Sequence, residues 1–318
     1  MATYKGIQGY SVQKLATDPT ASETVGQLWY NSTSGAFKIS TEGAGAWSAG
    51  VAYNSGRQYI VGAGTNTAGI IFGGSPSALT ETFDGSSWTA VNSLNVAVSQ
   101  SGGATSGTST ATLSFGMPSG NTETWNGTCW SEGSNMGTGR YTGQASGGTA
   151  TAAIAMGGPP SGAKTEIYDG TSWSDANDQI AARGEKAGCG STTSAVTGGG
   201  RPPEGTGIAE KWDGTSWSVT GTMNTGRYYQ SAAGDSGTAA LMFAGIPPPS
   251  GLAVTESFDG STWTEVGDLS AASAYGGGGV GNSSAATMMS TGAPVGGSPT
   301  RCEVWNDPVY AIKTVTVS

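Results

Sequence analysis

Six glutamates recur at one place in a repeating unit: Glu81, Glu123, Glu166, Glu210, Glu256 and Glu303. Four arginines recur with them, each ten residues after a tryptophan: Arg57, Arg140, Arg183 and Arg227. Val98 and Ser273 stand at that place in the other two units. Side chains of these types could do three kinds of chemistry. A ring of carboxylates could hold a cation, two cooperating carboxylates could cleave a glycosidic bond, and clustered arginines could hold an anionic substrate. Their regular return argues against all three, because symmetry spreads them around the molecule, one to a unit. The expected role is structural: each glutamate accepts from a nearby backbone amide or from the recurring arginine, since a buried carboxylate needs such partners.

No catalytic, cofactor-binding or metal-ligating residue is expected. The chain has no histidine, which removes Ser-His-Asp catalysis and the common metal triads. Cys129, Cys189 and Cys302 form no Cys-x-x-Cys pair, and an odd count gives no complete disulfide framework. Cys129 matches Ser87, Ser172 and Ser216 in other units, and Cys302 matches Thr80, Thr122 and Thr255, so both read as structural filler.

The elements that position these residues are short strands. A run of the type Thr80-Glu81-Thr82-Phe83-Asp84-Gly85-Ser86-Ser87-Trp88 returns at Thr122–Trp130, Thr165–Trp173, Ala209–Trp217 and Thr255–Trp263, and in decayed form at Cys302–Tyr310. The spacing widens from 41 residues (Trp47 to Trp88) to 47 (Trp263 to Tyr310). Within each unit a small-residue strand such as Ser231-Ala232-Ala233 precedes an apolar one such as Ala239–Phe243. That pair fits strands buried on both faces near an axis. The Glu-x-aromatic strand follows, an Asp-Gly or Asn-Gly step turns it back, and the Trp-Ser/Thr strand closes the unit. Four strands per unit at this period predict a closed array of small sheets. The fold expected is all-β, a six-bladed propeller with four antiparallel strands per blade and a short N-terminal hairpin segment. A solenoid is the alternative, disfavoured because no polar capping unit is visible.

The expected division is an N-terminal attachment segment at 1–43, a propeller at 44–310 and a C-terminal strand or tail at 311–318. Gly45-Ala46-Trp47-Ser48 resembles an orphaned fourth strand, and the sixth unit lacks its tryptophan. Two closures are therefore open. The strand around Trp47 completes the last blade, or Val309–Val317 supplies that strand.

The loops between the second and third strands are rich in proline and fall on one face of such a propeller. They include Pro159-Pro160, Arg201-Pro202-Pro203 and Pro247-Pro248-Pro249. Beside them run the crossover segments with Arg140-Tyr141 and Arg227-Tyr228-Tyr229. Proline stiffens such loops and lowers the ordering cost of binding. The functional reading is a partner- or glycan-facing rim made of Pro159, Pro160, Arg201, Pro202, Pro203, Tyr228, Tyr229, Pro247, Pro248 and Pro249. Ordinary turn chemistry is the competing reading.

The glycine pair after the second strand, the aromatic before the turn and the tryptophan after it resemble the kelch repeat, over about four-fifths of the chain. That resemblance implies the propeller independently. The Gly/Ala richness of the first two strands departs from it. The Asp-Gly-Thr/Ser-x-Trp step is also similar to the Asp box of sialidase propellers, but lacks that motif's residue between Asp and Gly.

Residues 26–39 do not belong to the repeat and read as a hairpin, Gly-Gln-Leu-Trp-Tyr-Asn-Ser-Thr-Ser-Gly-Ala-Phe-Lys-Ile. Leu28, Trp29, Tyr30 and Phe37 are its candidate anchor residues. The Met-Ala-Thr-Tyr-Lys start, this hairpin, the repeats and the Thr-Val-Thr-Val-Ser end are together similar to kelch-like virion proteins of tailed phages infecting marine cyanobacteria. The resemblance implies a late structural protein, assembled in the host cytoplasm into the particle as a tail component or capsid-attached fibre. Other virion proteins are then its partners, with several copies per particle or a homo-oligomer, and a host-surface glycan or receptor is a further candidate. A purely architectural joint and a glycan-cleaving propeller remain as alternatives. Composition bears on the partners as well. With 22 carboxylates against 13 Lys and Arg, neither nucleic acid nor an anionic membrane is an expected partner. No stretch is apolar for long enough to predict a membrane-inserted helix.

Overall fold

The computed structural model describes residues 12–43, 45–116, 119–141, 145–160, 162–203, 205–246, 251–275, 277–281, 286–289, 300–306 and 310–316. The chain forms two compact units, Met1–Gly45 with Asp307–Ser318, and Ala46–Asn306.

Among the described residues, the larger unit consists of six four-stranded antiparallel sheets, the blades of a β-propeller. Blade 1 runs outward through Val61–Thr65, Ala68–Phe72, Thr80–Phe83 and Trp88–Val91. Blades 2 to 5 repeat this order over residues 102–132, 146–176, 187–219 and 231–265. In blade 6 the strands Gly279–Gly281, Ala286–Met289 and Cys302–Asn306 are completed by Ala46–Ala49 from the other end of the unit. Trp47 pairs with Trp305, and the Gly50 amide donates to the Cys302 carbonyl at 2.8 Å. The first of the two closures is the one that forms. Val309–Val317 does not supply the strand: its part Tyr310–Thr314 pairs with Ala36–Glu42. The slot requires a ring that reaches the neighbouring blade. The Trp47 ring lies 4.9 Å from that of Phe243, just as Trp130 lies 4.9 Å from Phe72 and Trp173 lies 4.7 Å from Phe115. Closure leaves no blade at the end of an open array, where its edge would invite further pairing.

The glycine content of the first strands has a direct steric cause. These strands pack backbone against backbone around the axis. A Cβ on Gly279 would sit 1.9 Å from the Ala232 carbonyl oxygen, one on Gly62 2.4 Å from Val280 Cγ2, and one on Gly147 2.5 Å from the Gly190 carbonyl oxygen. Only glycine permits that approach. The second strands, such as Ala239–Phe243, are buried almost throughout, as their apolar runs require.

The Asp-Gly turns differ in one respect from a tight hairpin with both residues left-handed. Only the glycine has positive φ, +94° at Gly85 and +96° at Gly214. The aspartate works through its side chain. Asp84 Oδ1 accepts from the amides of Ser86 and Ser87, both at 2.8 Å, which closes a four-residue loop by an Asx turn.

The smaller unit holds a four-stranded sheet in the order Gln13–Leu15, Leu28–Asn31, Ala36–Glu42 and Tyr310–Thr314. The expected hairpin forms with Leu28 opposite Ile39 and Tyr30 opposite Phe37. It gains a parallel neighbour on one side and the late strand on the other. A lone hairpin would be marginal. Asp18 fastens the loop across it, accepting from Trp29 Nε1 at 3.0 Å and Asn31 Nδ2 at 2.7 Å.

Candidate functional site

The recurring glutamates and arginines meet as buried ion pairs inside blades. The distances are 2.8 Å for Arg57–Glu81, 2.5 Å for Arg140–Glu166, 2.8 Å for Arg183–Glu210 and 2.6 Å for Arg227–Glu256. Each carboxylate also accepts from the segment entering the blade. Glu81, for example, takes the amides of Asn54 at 2.8 Å and Ser55 at 3.3 Å. Three of the arginines brace the loop between the second and third strands: Arg57 Nε donates to the Gly73 carbonyl at 2.8 Å, Arg140 Nε to that of Gly157 at 2.9 Å, and Arg183 Nη1 to that of Gly199. Arg227 Nη2 donates instead to the Met242 carbonyl of the second strand at 3.0 Å. Burial pulls the Arg140 and Arg227 guanidiniums below their usual range, and the paired glutamates oppose that shift.

The two units without the arginine are satisfied differently. Glu123 accepts from Asn95 N at 2.8 Å and Val96 N at 3.0 Å. Glu303 accepts from Ser270 N at 2.9 Å and is ion-paired with Arg301, whose Nε lies 3.0 Å away. These pairs shape the blade-entry segments and are sealed from solvent.

The segments they shape gather on one face. Short backbone bridges tie four of the entry segments to a nearby loop between second and third strands: Ser77 with Val98, Gly184 with Arg201, Tyr228 with Ile246, Leu252 with Ser273. Two depressions lie there. One, of about 530 Å³, is lined by Pro159, Pro160, Gly162, Ala182, Gly184, Glu185, Arg201 and Pro202. The other, of about 550 Å³, is lined by Pro76, Ala97, Val98, Ser99, Gln100, Tyr141, Pro159, Glu185 and Tyr229.

Of the rim residues read from sequence, Pro159, Pro160, Arg201 and Pro202 therefore meet in one depression, and Tyr229 lines the other. Tyr228 joins them through Arg201, whose guanidinium carbon lies 4.9 Å from its ring centre and 5.9 Å from that of Tyr229. Pro203 follows Pro202 but lines neither depression. Pro247, Pro248 and Pro249 lie outside the described residues. Arg140 and Arg227 are fully buried in their ion pairs and belong to the scaffold.

Glu185 connects the two depressions and was not singled out by the sequence. Its carboxylate pairs with Arg201 Nε, accepts from Arg201 Nη2 at 2.7 Å and takes the Tyr229 hydroxyl at 2.7 Å. Tyr229 in turn stands 5.6 Å from Tyr59 and 5.5 Å from Tyr275, ring centre to ring centre, and Tyr59 is 5.5 Å from Tyr275. Burial raises the phenol pKa of both Tyr59 and Tyr229, so both keep their protons at neutral pH.

These residues share a position. Tyr59, Gln100, Glu185, Tyr229 and Tyr275 each stand twelve residues after a blade tryptophan, at Trp47, Trp88, Trp173, Trp217 and Trp263. The sixth equivalent, at 142, lies outside the described residues. Four of them are left-handed without being glycine: Tyr59 at φ +59°, Gln100 at +56°, Glu185 at +56° and Tyr229 at +55°. That conformation costs an L-residue on the order of 1 kcal/mol.

Of the anchor candidates in the smaller unit, Leu28 and Phe37 are exposed, at 39% and 43%. Tyr30 packs edge-on against Phe37 at 5.3 Å. Trp29 points the other way and is buried under Asp18. It holds the sheet together rather than offering a contact surface.

Fold and site together define a class, a six-bladed β-propeller with an aromatic, ion-paired mouth on one face. No family model matches the chain, and no curated protein matches it. Among solved structures, that of YjhT is similar with a TM-score of 0.63 over 84% of this chain and 99% of that one, at 14% identity. Likeness at that identity shows the propeller fold.

Proposed function

We propose that the chain is a non-enzymatic structural protein of a tailed-phage particle, of kelch-like type, associated with the tail or a fibre. In this reading the smaller unit attaches it to other virion proteins, in several copies per particle. The propeller offers the face of Tyr229, Arg201 and Glu185 to a glycan or receptor on the host surface. The phage assignment rests on the resemblance of the terminal segments and repeats.

The observation that carries the binding role is the mouth itself. Several blades contribute different polar and aromatic side chains to one face, while the repeated ionisable groups are buried and paired. The non-enzymatic reading is supported by Glu185, the one carboxylate among the described residues lining either depression. It is held by Arg201 and Tyr229, and the described lining residues include no second acid to share the work of glycoside cleavage. Exposed Leu28 and Phe37 support attachment through the smaller unit.

The reading predicts the chain in the proteome of gradient-purified particles, and it predicts that antibody raised against residues 46–306 blocks adsorption to host cells. Absence from the particles defeats the virion assignment. Presence without any block leaves a purely architectural joint.

A further inference from the structure

The residue two places after the recurring arginine, or after Val98 in its place, is left-handed at Tyr59, Gln100, Glu185 and Tyr229 while its side chain changes. The arginine position shows the opposite habit, returning as the same residue in four units. A position that serves only the fold has no reason to be left-handed in tyrosine, glutamine and glutamate alike, since glycine would relieve the strain at each. What the strained backbone achieves is direction: it carries Gln100, Glu185 and Tyr229 from three blades to one depression of about 550 Å³, with Tyr59 and Tyr275 backing Tyr229. Strain held at a ligand-facing position is a recurring feature of binding sites.

The chemistry of the mouth restricts its ligand. Tyr141 and Tyr229 line it with flat apolar surface and a hydroxyl at the edge, and Tyr59 and Tyr275 pack against Tyr229. Gln100 adds a neutral amide that both donates and accepts. Pro76, Pro159 and Val98 make the wall apolar. Glu185 is the charged side chain of the lining, and its charge is answered by Arg201. Among the described residues the site therefore offers no unanswered cation for an anionic ligand and no unanswered anion for a cationic one. The volume falls within the range of small-molecule pockets. A neutral pyranose, apolar on its C–H faces and hydroxylated around its rim, matches each of these features.

We infer that this mouth binds a neutral hexose ring, end-on, at the terminus of a surface glycan. Its specificity is set by the side chains twelve residues after the blade tryptophans, with Gln100 and Tyr229 as direct contacts. The inference rests on the host-contact reading above and narrows it, placing recognition at the mouth rather than on the proline rim around Pro160.

The test is calorimetric titration of the full chain with methyl glycosides of glucose, galactose and mannose. Methyl glucuronide serves as the anionic counterpart. Saturable binding of at least one neutral glycoside is expected, on the order of millimolar or tighter, with glucuronide weaker. Gln100→Gly and Tyr229→Phe each remove one polar contact and should weaken it about tenfold. Pro160→Ala should leave it unchanged. Gln100→Gly also removes backbone strain, so its thermal midpoint should not fall, which separates lost binding from lost folding.

No saturable neutral glycoside, a preference for glucuronide, or equal affinity in both mouth variants would overturn the inference. Labelled full chain applied to host cells distinguishes its failure from that of the broader reading. Cell binding kept by both mouth variants defeats the mouth as the recognition site and leaves the host-contact role standing. Glycoside binding without any cell binding does the reverse.

Discussion

The indole Nε1 of Trp47 donates to Thr255 Oγ1 at 2.8 Å, joining residues 208 positions apart. Trp47 lies on the strand that closes blade 6, and Thr255 opens the third strand of blade 5. The same bond links Trp130 to Thr80, Trp173 to Thr122 and Trp217 to Thr165, at 2.9, 2.9 and 3.0 Å. It is the polar tie between neighbouring blades, and it explains why threonine leads the repeated run. Two links depart from the pattern. Cys302 replaces the threonine facing Trp88, whose indole turns to the Val51 carbonyl at 3.0 Å. Ala209 replaces it facing Trp263, whose Nε1 is buried without an acceptor among the described residues.

Ala209→Thr should therefore stabilise the propeller. The added hydroxyl supplies the missing acceptor, and a hydrogen bond of this kind contributes about 1 kcal/mol net. Thr255→Ala should cost about 1 to 3 kcal/mol, because it orphans the Trp47 indole that closes the ring. Urea denaturation of both variants checks the pair.

The blades with and without a recurring arginine should respond differently to the same change. Glu256→Gln leaves Arg227 buried beside a neutral amide, and removal of one partner from such a pair costs about 3 to 5 kcal/mol. Glu123→Gln alters a carboxylate that faces backbone amides with no arginine, so its cost should be smaller, about 1 to 3 kcal/mol. Equal losses would mean that the ion pairs do not set the strength of the blades.

Two glycines make a steric contrast. Gly279→Ala places a methyl 1.9 Å from the Ala232 carbonyl oxygen, and it should cost about 3 kcal/mol or more. Gly133→Ala meets nothing nearer than 3.6 Å. It should be neutral or stabilising by up to about 1 kcal/mol through the unfolded chain. Thermal melts of the two variants measure the difference.

Stability should fall in acid through the turn aspartates. Hydrogen bonds from Ser86 and Ser87 bring the Asp84 carboxyl down to about 2, and the same turns lower Asp169, Asp213 and Asp259. A pKa depressed in the folded state contributes stability above the unfolded value of about 3.9. That contribution is lost as pH falls through the folded value. The thermal midpoint should decline between about pH 4 and pH 2. Asn126 already makes the turn without a charge, accepting from Thr128 N and Cys129 N at 2.9 Å. Changing all four aspartates to asparagine should flatten the decline, and an unchanged slope would assign it elsewhere.

The propeller was legible because five units repeat their glutamate, turn glycine and tryptophan at a fixed offset, and the sixth keeps the glutamate, Glu303. Trp47-Ser48 carried the outer-strand pattern outside the six runs, which is how the closing strand could be recognised. The mouth was not legible in the same way. Its residues share an offset but not a chemical type, so Glu185 gave no signal as a residue. The usable signal was the place itself, two after the arginine, where the backbone turns left-handed. The pairing of Tyr310–Thr314 with Ala36–Glu42 was hidden for another reason: neither strand belongs to the repeat, so no second copy marks the register.

Cryo-electron microscopy of purified particles tests the central claim most directly. The expected result is a six-bladed disc attached through the sheet of Leu28–Asn31 and Ala36–Glu42, with the face of Gln100, Glu185 and Tyr229 open to solvent. A disc with that face covered by another virion protein, or particles without the disc, would contradict it.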